Sequence, residues 1–296
     1  MIPKKFDYYA PASLEEAIQL LRQDDEAKVL AGGQSLLPLM KLRLSAPTAL
    51  VDITKLTDLS YIRDEGDYLA IGSLVSHDEV ERNLTIEDKF ALIKDAVARI
   101  GDEQVRNLGT IGGSVCHADP AADLPTALLV ADARFVIEGE KNRRVVPAKS
   151  FFVDFFSTAV GHSEILTEVQ VPYLPKRSGS AYIKHALREA DFAVASVGTI
   201  VTLKEGGNNC REARIGLGSA GPTPLRATSA EQYLKGRPLD EATITEAAEK
   251  ATEGADPPSD VRGRREYKLK VIRVLTRRSL GLALSRALSA GGETDR

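Results

Sequence analysis

Behind the capping box Ser13-Leu-Glu-Glu16, apolar residues recur at helical spacing, with Leu14, Ala17, Ile18 and Leu21 on one face. β-prone runs at 27–30, 49–53 and 68–73 follow. Ser76-His-Asp-Glu79 predicts a short capped helix, and Ile93, Ala96, Val97 and Ile100 mark one face of a longer one. Residues 124–131 read as an apolar helix and 133–138 and 143–146 as strands; a strand over 164–171 stops at Pro172. Past a loop at 172–178 the texture changes. Three long β-like runs (181–188, 194–204, 211–219) precede helices near 229–235, 241–253 and 265–288. This pattern predicts an α+β chain of two domains, 1–176 and 177–289, and a flexible tail over 290–296.

The chain also carries two glycine-rich turns about eighty residues apart: Ala31-Gly-Gly-Gln-Ser-Leu-Leu-Pro38 and Leu108-Gly-Thr-Ile-Gly-Gly-Ser-Val115. Glycine pairs free the backbone to expose successive N–H groups, which form an anion-binding concavity. Each pair has a hydroxyl beside it (Ser35; Thr110 and Ser114), as expected if one polyanion such as a dinucleotide pyrophosphate is clamped between them. Taken singly, each pair also reads as a tight turn. After the second pair, Asp119-Pro-Ala-Ala-Asp123 offers carboxylates suited to ribose hydroxyls or ring N–H groups. Helix capping by Asp123 is the alternative. One literal G-x-G-x-x-G, Gly216-Leu-Gly-Ser-Ala-Gly221, is followed at once by Pro222-Thr-Pro224. No helix opens there and no βαβ unit surrounds it, so a turn is expected rather than a Rossmann site.

Composition sets the context. At 296 residues there is room for two domains, since single cores stop growing at roughly 250–300 residues. A net charge of -3 calls for neither nucleic acid nor an anionic membrane. No apolar run approaches the ~20 residues of a membrane span. The N-terminus lacks the apolar core of a signal peptide, so a cytoplasmic protein is expected. Two cysteines, Cys116 and Cys210, cannot build a disulfide framework or a Cys₄ cluster.

With the glycine motifs, Gln104-Val-Arg-Asn-Leu-Gly-Thr-Ile-Gly-Gly113, Asp119-Pro-Ala-Ala-Asp123 and, more weakly, Ser219-Ala-Gly-Pro-Thr-Pro224 and Asp260-Val-Arg-Gly263, the chain resembles the FAD-binding medium subunits of the molybdenum hydroxylases. The same motifs are similar to the flavin domain of xanthine dehydrogenase, and the likeness runs through nearly the whole chain. It implies an FAD-binding fold of the vanillyl-alcohol-oxidase (PCMH) type in two subdomains. A smaller C-terminal domain follows, with a three-stranded antiparallel sheet and helices.

By that likeness Ala31, Gly32, Gly33, Gln34 and Ser35, with Thr110, Ile111, Gly112, Gly113 and Ser114, hold the pyrophosphate through main-chain N–H groups and hydroxyls. Leu36 lies against one isoalloxazine face, Asp123 binds the ribityl or adenosine side and Ile100 flanks the adenine. Leu166 and Lys184 close the flavin pocket. Phe192 stands where the family's carbon monoxide enzyme has a tyrosine, keeping the ring without its hydroxyl, and Ser114 replaces a common asparagine.

The resemblance further implies a subunit without substrate chemistry. A molybdenum cofactor resides on a large subunit and two 2Fe–2S clusters on a small one, in a dimer of heterotrimers. Electrons pass through FAD to an external acceptor, and the substrate is chosen elsewhere. The alternatives are a stand-alone flavin oxidase or dehydrogenase of the same fold, or a nucleotide-binding module. No catalytic motif or His–Tyr pair supports the former. His77, His117, His162 and His185 lack ligand spacing and are expected at the surface or in caps, with His117 beside the second turn. The basic stretch from Arg262 to Arg278, with Glu266 its only acid, is either a solvated helix face or a partner contact.

Overall fold

The structure, a computed structural model, describes residues 2–292. Its contacts group the chain into two compact units that do not follow chain order. The first takes residues up to Val80 with Asp102–Ala118 and Ala133–Val171; the second takes Glu81–Gly101, Asp119–Asp132 and the chain from Pro172 onward. Two segments that precede residue 176 thus pack with the C-terminal part of the chain.

In the first unit, Ser13 Oγ accepts from Glu16 N at 3.2 Å, opening the helix Leu14–Gln23 as its capping box predicts. Its buried face, Ala17, Ile18 and Leu21, joins Val51, Ile53 and Leu56 in one core, each full Leu or Ile burial contributing about 1.5–3 kcal/mol. That core lies on a three-stranded sheet in the order Asp7–Tyr9, Ala49–Asp52, Lys28–Leu30, both pairs parallel. A five-stranded sheet runs Ile62–Asp64, Tyr68–Gly72, Ile165–Pro172, Arg134–Glu138, Arg143–Pro147. Its middle strand, Ile165–Pro172, is buried at seven consecutive positions, with Thr167, Glu168 and Gln170 buried among its apolar residues.

The second unit is built on an antiparallel sheet of three long strands, Ser178–His185, Ala195–Leu203 and Cys210–Gly218, as expected, with a two-residue fourth, Leu225–Arg226, added at the edge. Every residue of Ala195–Leu203 is buried because helices cover both faces. Thr199 Oγ1 lies 2.7 Å from Ser279 Oγ of the long helix Arg265–Gly292. At the neighbouring position, which points the other way, Gly198 faces Leu92 and Val130 of the helices Ala91–Val97 and Asp123–Val130. The free edge of Ser178–His185 is covered too: Ser180 Oγ accepts from Leu92 N at 3.2 Å and Asp95 Oδ2 from Tyr182 N at 3.2 Å. The long helix runs to Gly292, beyond the expected start of the tail. Residues 293–296 of that tail lie outside the described residues.

The G-x-G-x-x-G is no nucleotide loop. Gly216 and Gly218 lie within the strand Cys210–Gly218, where methyl groups would stand 2.4 Å from Val130 Cγ2 and 2.2 Å from Ser196 Oγ. Glycine is needed there so that the helix Asp123–Val130 can sit on the strand. Asp240, at the fingerprint's acidic position, is the N-cap of the helix Glu241–Lys250 and accepts from Thr243 N at 2.8 Å.

Candidate functional site

The first glycine turn links the strand Lys28–Leu30 to the short helix Leu36–Lys41. Gly33 reverses the chain at φ +70°, a conformation that costs glycine little. The N–H groups of Gly32, Gly33, Gln34, Ser35 and Leu36 have no acceptor among the described residues. Ser35 Oγ makes no capping bond, while Gln34 Nε2 donates back to Gly32 O at 3.0 Å. Successive donors of this kind, in half-buried residues, suit a phosphate group.

The second glycine pair departs from expectation. Gly112 and Gly113 lie inside the first turn of a helix, Ile111–His117, whose N-cap Thr110 accepts from Gly113 N through Oγ1 at 3.1 Å. Ile111 N donates to Val75 O (3.0 Å), Gly112 N to Ser73 O (2.9 Å) and Ser114 N to Thr110 O (3.0 Å). All four N–H groups from Ile111 to Ser114 therefore have internal acceptors, so this pair does not offer the main-chain donors of the first. Its available donors are hydroxyls, since Ser114 Oγ has no partner among the described residues. Gly112 is glycine for packing: a methyl there would stand 2.5 Å from Ser73 Cβ.

The two turns nevertheless meet. A methyl at Gly32 would reach within 2.0 Å of Leu108 O, and one at Gly113, an exposed residue, would stand 3.9 Å from Ala31 Cβ and 2.9 Å from Thr110 Oγ1. Beneath them lies His77, whose N–H donates to Gly109 O at 2.9 Å. His77 is 3 % exposed and so is not at the surface, one of the two places expected. Burial, with Arg106 adding to it, pushes its pKa down to about 4. His117, half-buried, packs 5.0 Å from the Phe156 ring.

In the second unit Asp123 opens the helix Asp123–Val130 without capping it; the N-cap is Ala122. Both carboxylate oxygens are engaged from one strand. Tyr182 OH donates to Oδ1 at 2.7 Å and Lys184 Nζ to Oδ2 at 2.9 Å, while Nζ also donates to Arg99 O at 2.8 Å. Burial raises the Asp123 carboxyl above the usual carboxylate range, and Lys184 and Tyr182 pull against it. Tyr182 was not among the expected residues. Its i, i+2 spacing from Lys184 puts both side chains on one face of a strand, but nothing local says that Asp123 lies opposite.

Of the remaining expected residues, Leu166 is 3 % exposed and pairs with Ile137 next to a bulge at Thr167. Ile100 is half-buried, three residues past the end of the helix Ala91–Val97, and Leu36 is half-buried at the start of its own helix. Phe192 is exposed, with the Arg262 guanidinium 5.7 Å from its ring centre. The basic stretch is not acid-free in space: Lys268 pairs with Asp260 (2.8 Å), Arg265 with Asp256 (2.8 Å) and Arg273 with Glu249 (3.0 Å). Arg264, Lys270, Arg277 and Arg278 stay exposed without an acidic partner among the described residues.

Residues 4–174 match the family described as the FAD binding domain in molybdopterin dehydrogenase, and residues 180–283 the CO dehydrogenase flavoprotein C-terminal domain. The chain belongs to this FAD-binding family. It is a flavoprotein subunit of the molybdenum-containing oxidoreductases. It is 40 % identical over 288 residues, 97 % of either chain, to the 6-hydroxypseudooxynicotine dehydrogenase complex subunit alpha of Paenarthrobacter nicotinovorans. To the carbon monoxide dehydrogenase medium chain of Hydrogenophaga pseudoflava it is 37 % identical over 97 % of this chain and 99 % of that one. The solved structure of that carbon monoxide dehydrogenase superposes with a TM-score of 0.93, covering 97 % of this chain and 99 % of that one. Quinoline 2-oxidoreductase of Pseudomonas putida 86 superposes at 0.92, with 33 % identity over 98 % of this chain and all of that one. The residues present fit a flavin dinucleotide in the respect that the chain itself shows: five unpartnered N–H groups and the free Ser35 and Ser114 hydroxyls form a donor set for phosphate oxygens. No helix among the described residues is long and apolar enough to cross a membrane.

Proposed function

We propose that this chain carries electrons, through FAD, from the iron–sulfur subunit of a heterotrimeric molybdenum hydroxylase to an external acceptor. The assembly is a dimer of heterotrimers. The observation that supports the reading most is the run of unpartnered N–H groups from Gly32 to Leu36 beside the hydroxyl-bearing start of the helix Ile111–His117.

When bound, the flavin supplies the redox chemistry, and the protein supplies binding, orientation and electrostatics. Ala31 to Ser35 hold the pyrophosphate by main-chain N–H groups, while Thr110 and Ser114 add hydroxyls. Ile111, Gly112 and Gly113 shape the floor. Leu36, Leu166 and Phe192 supply apolar contact to the ring system, Ile100 to the adenine. Asp123 accepts from ribityl or ribose hydroxyls and Lys184 holds Asp123. Burial pushes the Cys116 thiol up to about 12 and the Cys210 thiol to about 11, so neither is a ready thiolate ligand for a cluster. The named relatives act on a nicotine derivative, carbon monoxide and quinoline, consistent with a substrate chosen on another subunit. The exposed Arg264, Lys270, Arg277 and Arg278 are the proposed partner contact.

The visible spectrum of the purified full chain tests the reading. Flavin near one per chain, released as FAD by acid precipitation, is expected. Covalently held flavin would favour a stand-alone oxidase, and a colourless chain that takes up no FAD would refute both.

A further inference from the structure

We infer that Tyr182 is the positioning residue that sets the Asp123 carboxylate for the hydroxyls of the flavin's sugar-alcohol chain; the inference rests on the FAD reading above. Tyr182 is 3 % exposed, and its hydroxyl donates to Asp123 Oδ1 at 2.7 Å. Lys184, two residues along the same strand, donates to Oδ2 at 2.9 Å. One donor on each oxygen fixes the plane of the carboxylate. It also leaves acceptor capacity on both oxygens, because an ionised carboxylate offers about four lone-pair sites.

Tyr182 is itself held firmly. It pairs across the sheet with Gly198. Its N–H donates to Asp95 Oδ2, which Arg286 binds at 2.6 Å. Lys184, by contrast, divides its ammonium between Asp123 and Arg99 O. It supplies charge, and Tyr182 supplies direction. Burial raises the Tyr182 phenol well above its ordinary value, so it stays a donor throughout the working pH range.

The groups acting on Asp123 are Tyr182 and Lys184 from the strand, and Arg99 from the loop behind the helix Ala91–Val97. Asp119, four residues upstream, turns its own Oδ1 to Ala121 N at 2.8 Å. A hydrogen bond to the charged form favours it. Removing the phenolic hydroxyl therefore raises the pH at which Asp123 protonates and ceases to accept from the ligand.

The test is an FAD titration of the full apo-chain between pH 5 and 8, followed by flavin fluorescence, for wild type and Tyr182→Phe. The expected result is binding about tenfold weaker in the variant, the scale of one hydrogen bond to a charged group. The acid limb of its affinity should move to higher pH, and the apo-chain should melt only slightly below wild type, since the same hydrogen bond also serves the apo fold. Equal affinity at every pH would overturn the inference. So would a uniform loss with the acid limb unmoved, or an apo-chain that melts far below wild type, since both assign Tyr182 to the fold alone. A wild-type chain that binds no FAD would overturn the functional reading itself, and the inference with it.

Discussion

Replacing Gly112 by alanine drives a methyl group to 2.5 Å from Ser73 Cβ and 2.6 Å from Ser73 O, the same oxygen that accepts the Gly112 N–H at 2.9 Å. Backbone lies on both sides of this contact, so relief requires the helix Ile111–His117 to shift. Overpacking of this kind costs about 1–3 kcal/mol, and a weakened buried hydrogen bond adds about 1. Alanine's better helix propensity returns about 1 kcal/mol. The net expectation is an apo-chain less stable by about 1–3 kcal/mol.

Gly113→Ala behaves differently. The residue is exposed and its methyl meets only Thr110 Oγ1 at 2.9 Å and Ala31 Cβ at 3.9 Å. Disturbing the Thr110 cap costs about 1 kcal/mol, which the helix propensity offsets. Stability should hardly change, but the methyl occupies the space between the two turns, and FAD should bind at least about tenfold more weakly. Urea unfolding of the two apo variants, paired with FAD titration, checks both statements. A Gly112→Ala chain as stable as wild type would refute the packing argument. A Gly113→Ala chain that binds FAD at full affinity would refute the placement of phosphate between the turns.

Asp123→Ala leaves Tyr182 OH without its acceptor and Lys184, which keeps Arg99 O, without its counter-charge, and breaking such a pair costs about 3–5 kcal/mol; urea unfolding should show the apo-chain itself destabilised, and unchanged stability would mean the pair contributes little. His77, pushed to about 4, is neutral in the fold, so its contribution is complete above about pH 6.5 and lost as pH falls toward 4. That loss is about 3 kcal/mol over the window, and the pH dependence of urea midpoints should flatten there in His77→Gln. Glu164, held by Arg144 through Nε at 3.1 Å and Nη2 at 2.6 Å, has its carboxyl lowered by that bond. Its stabilisation is present above the ordinary carboxylate range and disappears as pH falls through the lowered value, so Glu164→Gln and wild type should converge in acid. Reversing the charges of Arg277 and Arg278 should weaken subunit assembly more at low salt than at high salt; identical assembly of variant and wild type in low-salt gel filtration would remove that face from the contact.

Where the residues that decide a feature are neighbours in the chain, the feature is legible. Ser13 and Glu16 announce the first helix, Pro172 the end of the strand before it, and Ala31-Gly-Gly-Gln-Ser35 a turn with free donors. Short helices whose caps compete with glycine or proline signals escaped: Leu36–Lys41 contains Pro38, and Ile111–His117 contains the glycine pair itself. Long-range partners escaped as well. Ser73 explains Gly112, Leu108 explains Gly32, and Asp260, Asp256 and Glu249 neutralise much of the basic stretch. Asp123 shows the limit most clearly, because its spacing from Asp119 suggests a cap or a ligand contact while its actual partners lie about sixty residues on, at Tyr182 and Lys184. Chain order also hid the division into units, which takes Glu81–Gly101 and Asp119–Asp132 away from their sequence neighbours.

The central claim, electron passage without substrate chemistry, is tested most directly by anaerobic rapid mixing of the FAD-loaded chain with its reduced iron–sulfur partner, following the visible flavin absorption band. The account predicts that the band bleaches with the partner, and that small organic substrates of the complex leave the lone chain's band unchanged. Bleaching of the lone chain by such a substrate, or a band that the reduced partner leaves intact, would contradict it.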